Sequence, residues 1–123
     1  MKKICKLWFP VFFWAGSIFF FSGIPDLKTE LEYDFLLRKA AHVTEYFVLT
    51  FLLWRAFKGS FAISPARLLC YPALLSFLYA VSDEVHQSFV PGRSCSLEDV
   101  FIDAVGIICF GGLIVFWGKR VKQ

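Results

Sequence analysis

Residues suited to chemistry are concentrated in one stretch, SDEVHQSFVPGRSCSLEDVFIDAVG, which covers positions 82–106. The candidates within it are Asp83, Glu84, His86, Gln87, Arg93, Asp99 and Asp103. Upstream, Lys39, His42 and Glu45 recur at every third position, and residues three or four apart are neighbours on a helix surface. Carboxylates and imidazoles can move protons or bind a cation, while Lys and Arg can bind a phosphate or carboxylate. The pattern therefore predicts a site for a charged ligand.

The elements that position these residues are predicted to be membrane helices. The chain has 123 residues, of which 58% are hydrophobic and 19% charged, whereas soluble domains are less apolar and about one quarter charged. A small soluble fold leaves much of its surface in water and cannot bury this excess. A bilayer can accommodate it, so the composition predicts an all-α membrane protein.

Four apolar blocks are long enough to cross a bilayer, since about 20 helical residues span the hydrocarbon. We predict a single domain, 1–123, folded as a compact bundle of four transmembrane helices. The predicted spans are 7–23, 40–57, 67–89 and 97–117. Trp8, Trp14 and the lack of a small-x-small cleavage site favour an uncleaved anchor over a signal peptide for the first block.

The connection between the first two spans allows two interpretations. Leu27, Leu31 and Phe35 recur at four-residue spacing, which is typical of a short helix lying on the outer membrane surface. A plain loop is the alternative. Further along the chain, Gly106, Gly111 and Gly112 predict close contacts between helices.

The distribution of Lys and Arg predicts the orientation. Nine lie in the two termini and in the link between the second and third spans, and four lie on the other side. Because positive residues concentrate in cytoplasmic loops, both termini are predicted to be cytoplasmic and the acidic stretch to face outward. No basic stripe with aromatic residues accompanies this charge, so nucleic-acid binding is not expected. The four cysteines have no metal-binding spacing, and we expect no disulfide.

Helix geometry brings three acids to a similar depth. With a rise of about 1.5 Å per residue, Glu45 lies on the order of 8 Å from its end of the second span, and Asp83 and Asp103 about 9 Å from theirs. An ionised side chain at mid-helix in lipid costs roughly 2.5 to 3.5 kcal/mol, so these acids are expected to point inward. They would then either form a ligand site or pair with Arg38, Lys39 and Arg93 in a network that fixes helix packing.

Three segments together resemble one known family. They are Lys39-x-x-His42-x-x-Glu45-Tyr46, the run from Ser82 through Gly92-Arg93, and Asp99-x-x-x-Asp103-x-x-Gly106. Over residues 38–112 the chain resembles the VanZ-like family of small bacterial membrane proteins. That family is named for a protein that is encoded with glycopeptide-resistance genes. The protein raises resistance to teicoplanin, a lipoglycopeptide that acts at the outer cell surface. The resemblance implies a multi-pass protein of the bacterial cytoplasmic membrane and suggests a role in such resistance, without implying a defined reaction.

Two main functional hypotheses follow. In the first, an outward polar pocket binds a membrane-lipid headgroup, a lipid-linked cell-wall intermediate or a glycopeptide. Its expected ligand-binding residues are Lys39, His86, Gln87, Arg93, Asp99 and Asp103. In the second, the protein is an enzyme acting on a lipid or lipid-linked phosphate. Its expected catalytic residues are His42, Glu45, Asp83 and Glu84.

The cofactor and the assembly are left open by the sequence. The excess of acids suits a hard divalent cation such as Mg²⁺ or Ca²⁺, and no HExxH or CxxC motif supports zinc. A proton-coupled carrier is a third hypothesis, although the chain has no inverted repeat to support alternating access. The oligomeric state is not indicated.

Overall fold

The computed structural model describes residues 1–24, 34–92 and 96–121, and the regular secondary structure of these residues is entirely α-helical. The predicted all-α class is therefore confirmed. The four helices are α1 (Lys2–Ser22), α2 (Asp34–Ser60), α3 (Pro65–Gln87) and α4 (Leu97–Val121).

Three of these helices are long and apolar enough to cross a membrane, namely α1, α3 and α4. Their faces expose many large apolar side chains, such as Phe12, Phe20 and Ile108, as expected for surfaces in contact with lipid. The helix α2 is less apolar because it carries Lys39, His42 and Glu45. It packs against all three of the others, and its role as a fourth span remains a prediction.

The helix ends differ in part from the predicted spans. The helix α2 begins at Asp34 rather than near residue 40, so position 35 of the predicted interfacial helix belongs to α2. Leu27 and Leu31 lie outside the described residues. The start of α3 is set by Pro65 in its first turn and by Ser64, whose hydroxyl accepts the Arg67 N–H at 3.4 Å. Both features are characteristic of helix N-termini.

The core is built around one stripe of α2. Tyr46, Leu49, Leu53 and Ala56 are buried along this stripe, which repeats at the three-to-four spacing of a helix face. The stripe packs against residues from the other three helices. They are Val11 and Ile18 of α1, Ala80 of α3 and Ile107 of α4. Thus α2 is the element that holds the other helices in place.

Hydrogen bonds between helices supplement this packing. The Trp14 Nε1–H donates to the Glu45 carbonyl at 2.9 Å, and the Thr50 and Ser76 hydroxyls are hydrogen-bonded to each other, with their oxygens 2.9 Å apart. The Tyr79 hydroxyl donates to the Ala15 carbonyl at 2.5 Å. Lipid supplies little hydrophobic force between helices, so packing and hydrogen bonds of this kind carry much of their association.

The Tyr79 hydrogen bond gives a first test of the fold. Tyr79→Phe should lower the free energy of unfolding by about 0.5–1.5 kcal/mol, because it leaves a carbonyl without its interhelical donor. Tyr71 is on the same helix and exposed, so Tyr71→Phe is the matched control and should be neutral. Unfolding in detergent micelles, followed by tryptophan fluorescence, measures both changes. Equal stability of the two variants would contradict the role assigned to this bond.

One glycine marks the closest approach of two helices. A Cβ placed on Gly106 would lie 2.2 Å from the Val43 carbonyl oxygen and 3.1 Å from the Phe47 nitrogen. The backbone of α4 therefore contacts α2 directly, and the prediction of a close contact at Gly106 is confirmed. A Cβ at Gly111 would make ordinary contact with Leu69, and one at Gly112 would meet no atom of the described residues within 4 Å. The prediction is wrong for Gly112.

Candidate functional site

The four helices bring polar side chains together at one end of the bundle. This end holds the C-terminal turns of α1 and α3 and the N-terminal turns of α2 and α4, because successive helices run in opposite directions. We refer to the side chains there as the polar cluster. Its members are Lys39, His42, Asp83, Glu84, Gln87, Asp99 and Asp103.

Helices α2 and α4 contribute two cross-helix pairs. The Lys39 ammonium forms an ion pair with Asp99. The His42 Nδ1 lies 2.8 Å from Asp103 Oδ1, and the Asp103 side chain is completely buried. The partners are three residues apart on α2 and four apart on α4, so the two helices, which run parallel, present both pairs in register. The close contact at Gly106 keeps the two backbones near enough for these pairs to form.

Helix α3 contributes three buried polar residues from its last turn. Asp83, Glu84 and Gln87 are each exposed by 5% or less. The Tyr46 hydroxyl donates to Asp83 Oδ2 at 3.3 Å, and the Ser96 N–H donates to Glu84 Oε2 at 3.2 Å. Asp83 is thus directed toward α2, and Glu84 toward the start of α4.

Two carboxylate oxygens near His42 have unused hydrogen-bonding capacity. Glu84 Oε1 and Asp103 Oδ2 are buried and lack a hydrogen-bond partner among residues 1–24, 34–92 and 96–121. A buried polar atom without a partner costs free energy, and a buried charge costs more. Ligand atoms of His42, Glu84 and Asp103 fall within 4.8 Å of one another. The arrangement can therefore accept hydrogen bonds or bind a cation.

The other predicted site residues have separate positions. His86 is half-buried and stacks on Phe19 of α1, with ring centroids 4.2 Å apart and an interplanar angle of 18°. Glu45 is half-buried, and its carbonyl accepts from Trp14. Arg93 lies outside the described residues. The structure therefore groups most of the predicted residues and places His86 against α1.

Sequence reasoning did not assign a site role to the buried hydroxyls that extend the cluster toward the bundle centre. Tyr46, Thr50 and Ser76 are each exposed by 2% or less. Tyr46 binds Asp83, while Thr50 binds Ser76 and also donates to the Tyr46 carbonyl at 2.7 Å. The available signal was the spacing of His42, Tyr46 and Thr50, which continues one face of α2.

A groove of about 480 Å³ lies at the opposite end, between α2, α3 and α4. Its lining is mostly apolar and includes Trp54, Leu69 and Ile114 together with Lys58 and Lys119. It shares no residue with the polar cluster. The groove therefore adds nothing to the candidate site.

Comparison with known proteins identifies the family of this chain. A family model described as VanZ/LLP1 matches residues 6–118. The uncharacterized membrane protein YwnJ of Bacillus subtilis (strain 168) is 39% identical over 113 residues, and the alignment covers 85% of this chain and 73% of YwnJ. No solved structure matches the chain. The family model covers nearly the whole sequence, including every segment that builds the polar cluster, and the chain is therefore an integral membrane protein that belongs to the VanZ family.

Proposed function

We propose that this protein binds the polar headgroup of a membrane lipid or of a lipid-linked cell-wall intermediate in the polar cluster. The observation that carries the proposal is that three buried carboxylate oxygens of the cluster, Asp83 Oδ1, Glu84 Oε1 and Asp103 Oδ2, have no hydrogen-bond partner among the described residues. Oxygens of this kind accept hydrogen bonds from hydroxyl or amino groups. Sugar and amino headgroups offer both groups, whereas lipid tails offer neither.

The proposed orientation puts the cluster within reach of the outer leaflet of the bacterial cytoplasmic membrane. Lys58, Arg67 and Lys119 belong to the opposite helix ends, and positive residues favour the cytoplasmic side. Both chain termini would then be cytoplasmic. Lys39, and Arg93 from the sequence between α3 and α4, would supply the cationic groups that phosphate recognition requires.

A role in resistance to teicoplanin-type glycopeptides follows as part of this proposal. Such antibiotics act outside the cytoplasmic membrane, where the cluster is proposed to open. Binding of either the antibiotic or the lipid-linked intermediate at the cluster would change how much antibiotic reaches its target. The support is membership of the VanZ family together with the chemistry of the cluster.

Substitution of the buried acids tests the headgroup proposal. Glu84→Gln and Asp103→Asn should lower lipid retention at least about 10-fold, since a buried hydrogen bond to a charged group contributes about 1.5–3 kcal/mol. Glu98 is exposed on the first turn of α4, so Glu98→Gln is the control and should behave as wild type. Native mass spectrometry of protein purified from membranes measures the retained lipids. Equal retention in all variants would refute the proposal.

The same variants address resistance when expressed in a teicoplanin-sensitive host. The minimal inhibitory concentration should rise with the wild-type protein and with Glu98→Gln, and it should stay at the host value with Asp103→Asn. Immunoblots of the membrane fraction establish that the variants are present. If Asp103→Asn protected the host as well as wild type, the cluster would have no part in resistance.

An enzyme acting on a lipid or lipid-linked phosphate is the second candidate. The observation that favours it is the 2.8 Å contact between His42 Nδ1 and Asp103 Oδ1. A carboxylate hydrogen-bonded to an imidazole orients that ring as a general base or nucleophile. Glu45, Asp83 and Glu84 would then assist as acid–base groups or as ligands of Mg²⁺ or Ca²⁺. Binding of a lipid phosphate without phosphate release, with and without those cations, would rule this candidate out.

A further inference from the structure

We propose that His42, Glu84 and Asp103 form a binding site for one divalent transition-metal cation. The residues come from three different helices, α2, α3 and α4, so the cation would join the helix ends that build the polar cluster. The proposal deepens the headgroup-binding function and rests on it for its biological role.

The distances between the donor atoms suit such a cation. One ligand atom from each residue lies within 4.8 Å of the other two. Bonds of about 2.0–2.2 Å from a metal to nitrogen or oxygen place its ligand atoms no more than about 4.4 Å apart. Small rotations of the Glu84 and Asp103 carboxylates therefore suffice to bring all three ligands to bonding distance.

The burial of the two carboxylates points independently to a ligand. Glu84 is 1% exposed and Asp103 is fully buried, and each has one oxygen without a hydrogen-bond partner in the described part of the chain. Desolvated carboxylates are retained when they are paired or coordinate a metal. A dication would balance the two negative charges and use both unpartnered oxygens. The nearby Lys39 forms its ion pair with a different carboxylate, that of Asp99.

The donor set distinguishes the class of cation. Imidazole suits Zn²⁺, Fe²⁺ and related metals, whereas carboxylates also suit Mn²⁺ and Mg²⁺. One imidazole with two carboxylates therefore favours a first-row divalent transition metal over the Mg²⁺ or Ca²⁺ expected from the acids alone. The Ser96 N–H that binds Glu84 Oε2 would hold that carboxylate in position, as residues around metal ligands commonly do.

A metal at this position would add a specific capability to the headgroup site. Three protein ligands leave coordination positions open for an outside ligand. A phosphate oxygen is such a ligand, and it could come from a lipid headgroup or from free phosphate. The cation would allow an anionic group to bind beside carboxylates that would otherwise repel it.

The test uses full-length protein, free of an affinity tag, stripped with a chelator and reconstituted in detergent without added lipid. Titration with Mn²⁺, followed by electron paramagnetic resonance, should give one saturable site per chain. Glu84→Gln, Asp103→Asn and His42→Gln should each weaken binding at least about 100-fold, since loss of even a residue supporting a ligand costs 10- to 100-fold. Glu98→Gln should bind as wild type does, and Zn²⁺ should compete with Mn²⁺.

A spectroscopic signature separates this site from adventitious binding to surface carboxylates. Electron spin-echo envelope modulation should show nitrogen coupling in the wild type and lose it in His42→Gln. The amide introduced by Glu84→Gln keeps an oxygen for the Ser96 N–H, so this variant should fold. It therefore tests the metal site even if Asp103→Asn fails to fold. Absence of a saturable site, equal affinity in Glu84→Gln and Glu98→Gln, or absence of nitrogen coupling would each overturn the proposal.

The metal and headgroup proposals fail in different measurements. Mn²⁺ binding is measured without lipid, and lipid retention is measured by mass spectrometry in the presence of chelator and again with Mn²⁺. Saturable Mn²⁺ binding without lipid retention under either condition supports the metal site and refutes the headgroup function. Lipid retention without Mn²⁺ binding refutes the metal site alone. Free phosphate that binds only with Mn²⁺ would identify phosphate as the group that the metal recognises.

Discussion

Replacement of Gly106 by alanine is expected to lower the free energy of unfolding by about 3 kcal/mol, at the upper end of the usual cost of overpacking. The new methyl group would lie 2.2 Å from the Val43 carbonyl oxygen, far inside van der Waals contact. The neighbour is backbone, so no side-chain rotation can relieve the clash and α4 must move away from α2. That movement would also separate Asp99 from Lys39 and Asp103 from His42.

Gly112 is the matched control for this change, because it lies on the same helix and a Cβ there meets nothing within 4 Å in the described part of the chain. Gly112→Ala should be neutral or slightly stabilising, since alanine is about 0.8–1.0 kcal/mol more favourable than glycine inside a helix. Thermal unfolding in detergent, followed by tryptophan fluorescence, compares the two. If Gly106→Ala were as stable as Gly112→Ala, α2 and α4 could not approach as closely as the structure shows.

The general architecture could be predicted from the sequence because its causes are local and repetitive. Apolar blocks of sufficient length identify α1, α3 and α4, and the cost of placing charge in lipid directs Asp103 and Asp83 inward. The start of α2 was harder to predict. Arg38 and Lys39 interrupt the apolar block immediately before Ala40, so the hydropathy pattern stops there while the helix continues back to Asp34.

The arrangement of the site was less predictable because it depends on which neighbours enclose each helix end. Asp83 and Glu84 are adjacent on α3 and point about 100° apart around a 3.6-residue helix, so a single inward face would bury only one. The structure buries both, because the Tyr46 hydroxyl of α2 donates a hydrogen bond to Asp83 while the Ser96 N–H, just before α4, donates one to Glu84. The Thr50–Ser76 hydrogen bond also depends on helix register, which hydropathy does not encode.

Loss of one partner from the His42–Asp103 pair is expected to have the other large effect. His42→Leu should cost about 3–5 kcal/mol, because it leaves the Asp103 carboxylate buried without its partner. Asp103→Asn should cost much less in the His42→Leu protein than in the wild type, because His42→Leu has already left the Asp103 carboxylate unpaired. The four proteins of this double-mutant cycle should be unfolded in the presence of chelator, which separates the pair from any bound metal.

The Lys39–Asp99 pair provides the matched comparison, because it joins the same two helices but its side chains remain 23% and 18% exposed. Water screens such partly exposed pairs, so the coupling between Lys39→Met and Asp99→Asn should stay within about 1 kcal/mol. Coupling for contacting residues reaches about 3 kcal/mol, and the buried His42–Asp103 pair should approach that value. A coupling near zero for His42 and Asp103 would mean that the 2.8 Å contact contributes nothing to the free energy of unfolding. A large coupling would show that burial at the α2–α4 contact, rather than charge alone, makes this end of the bundle sensitive to single substitutions.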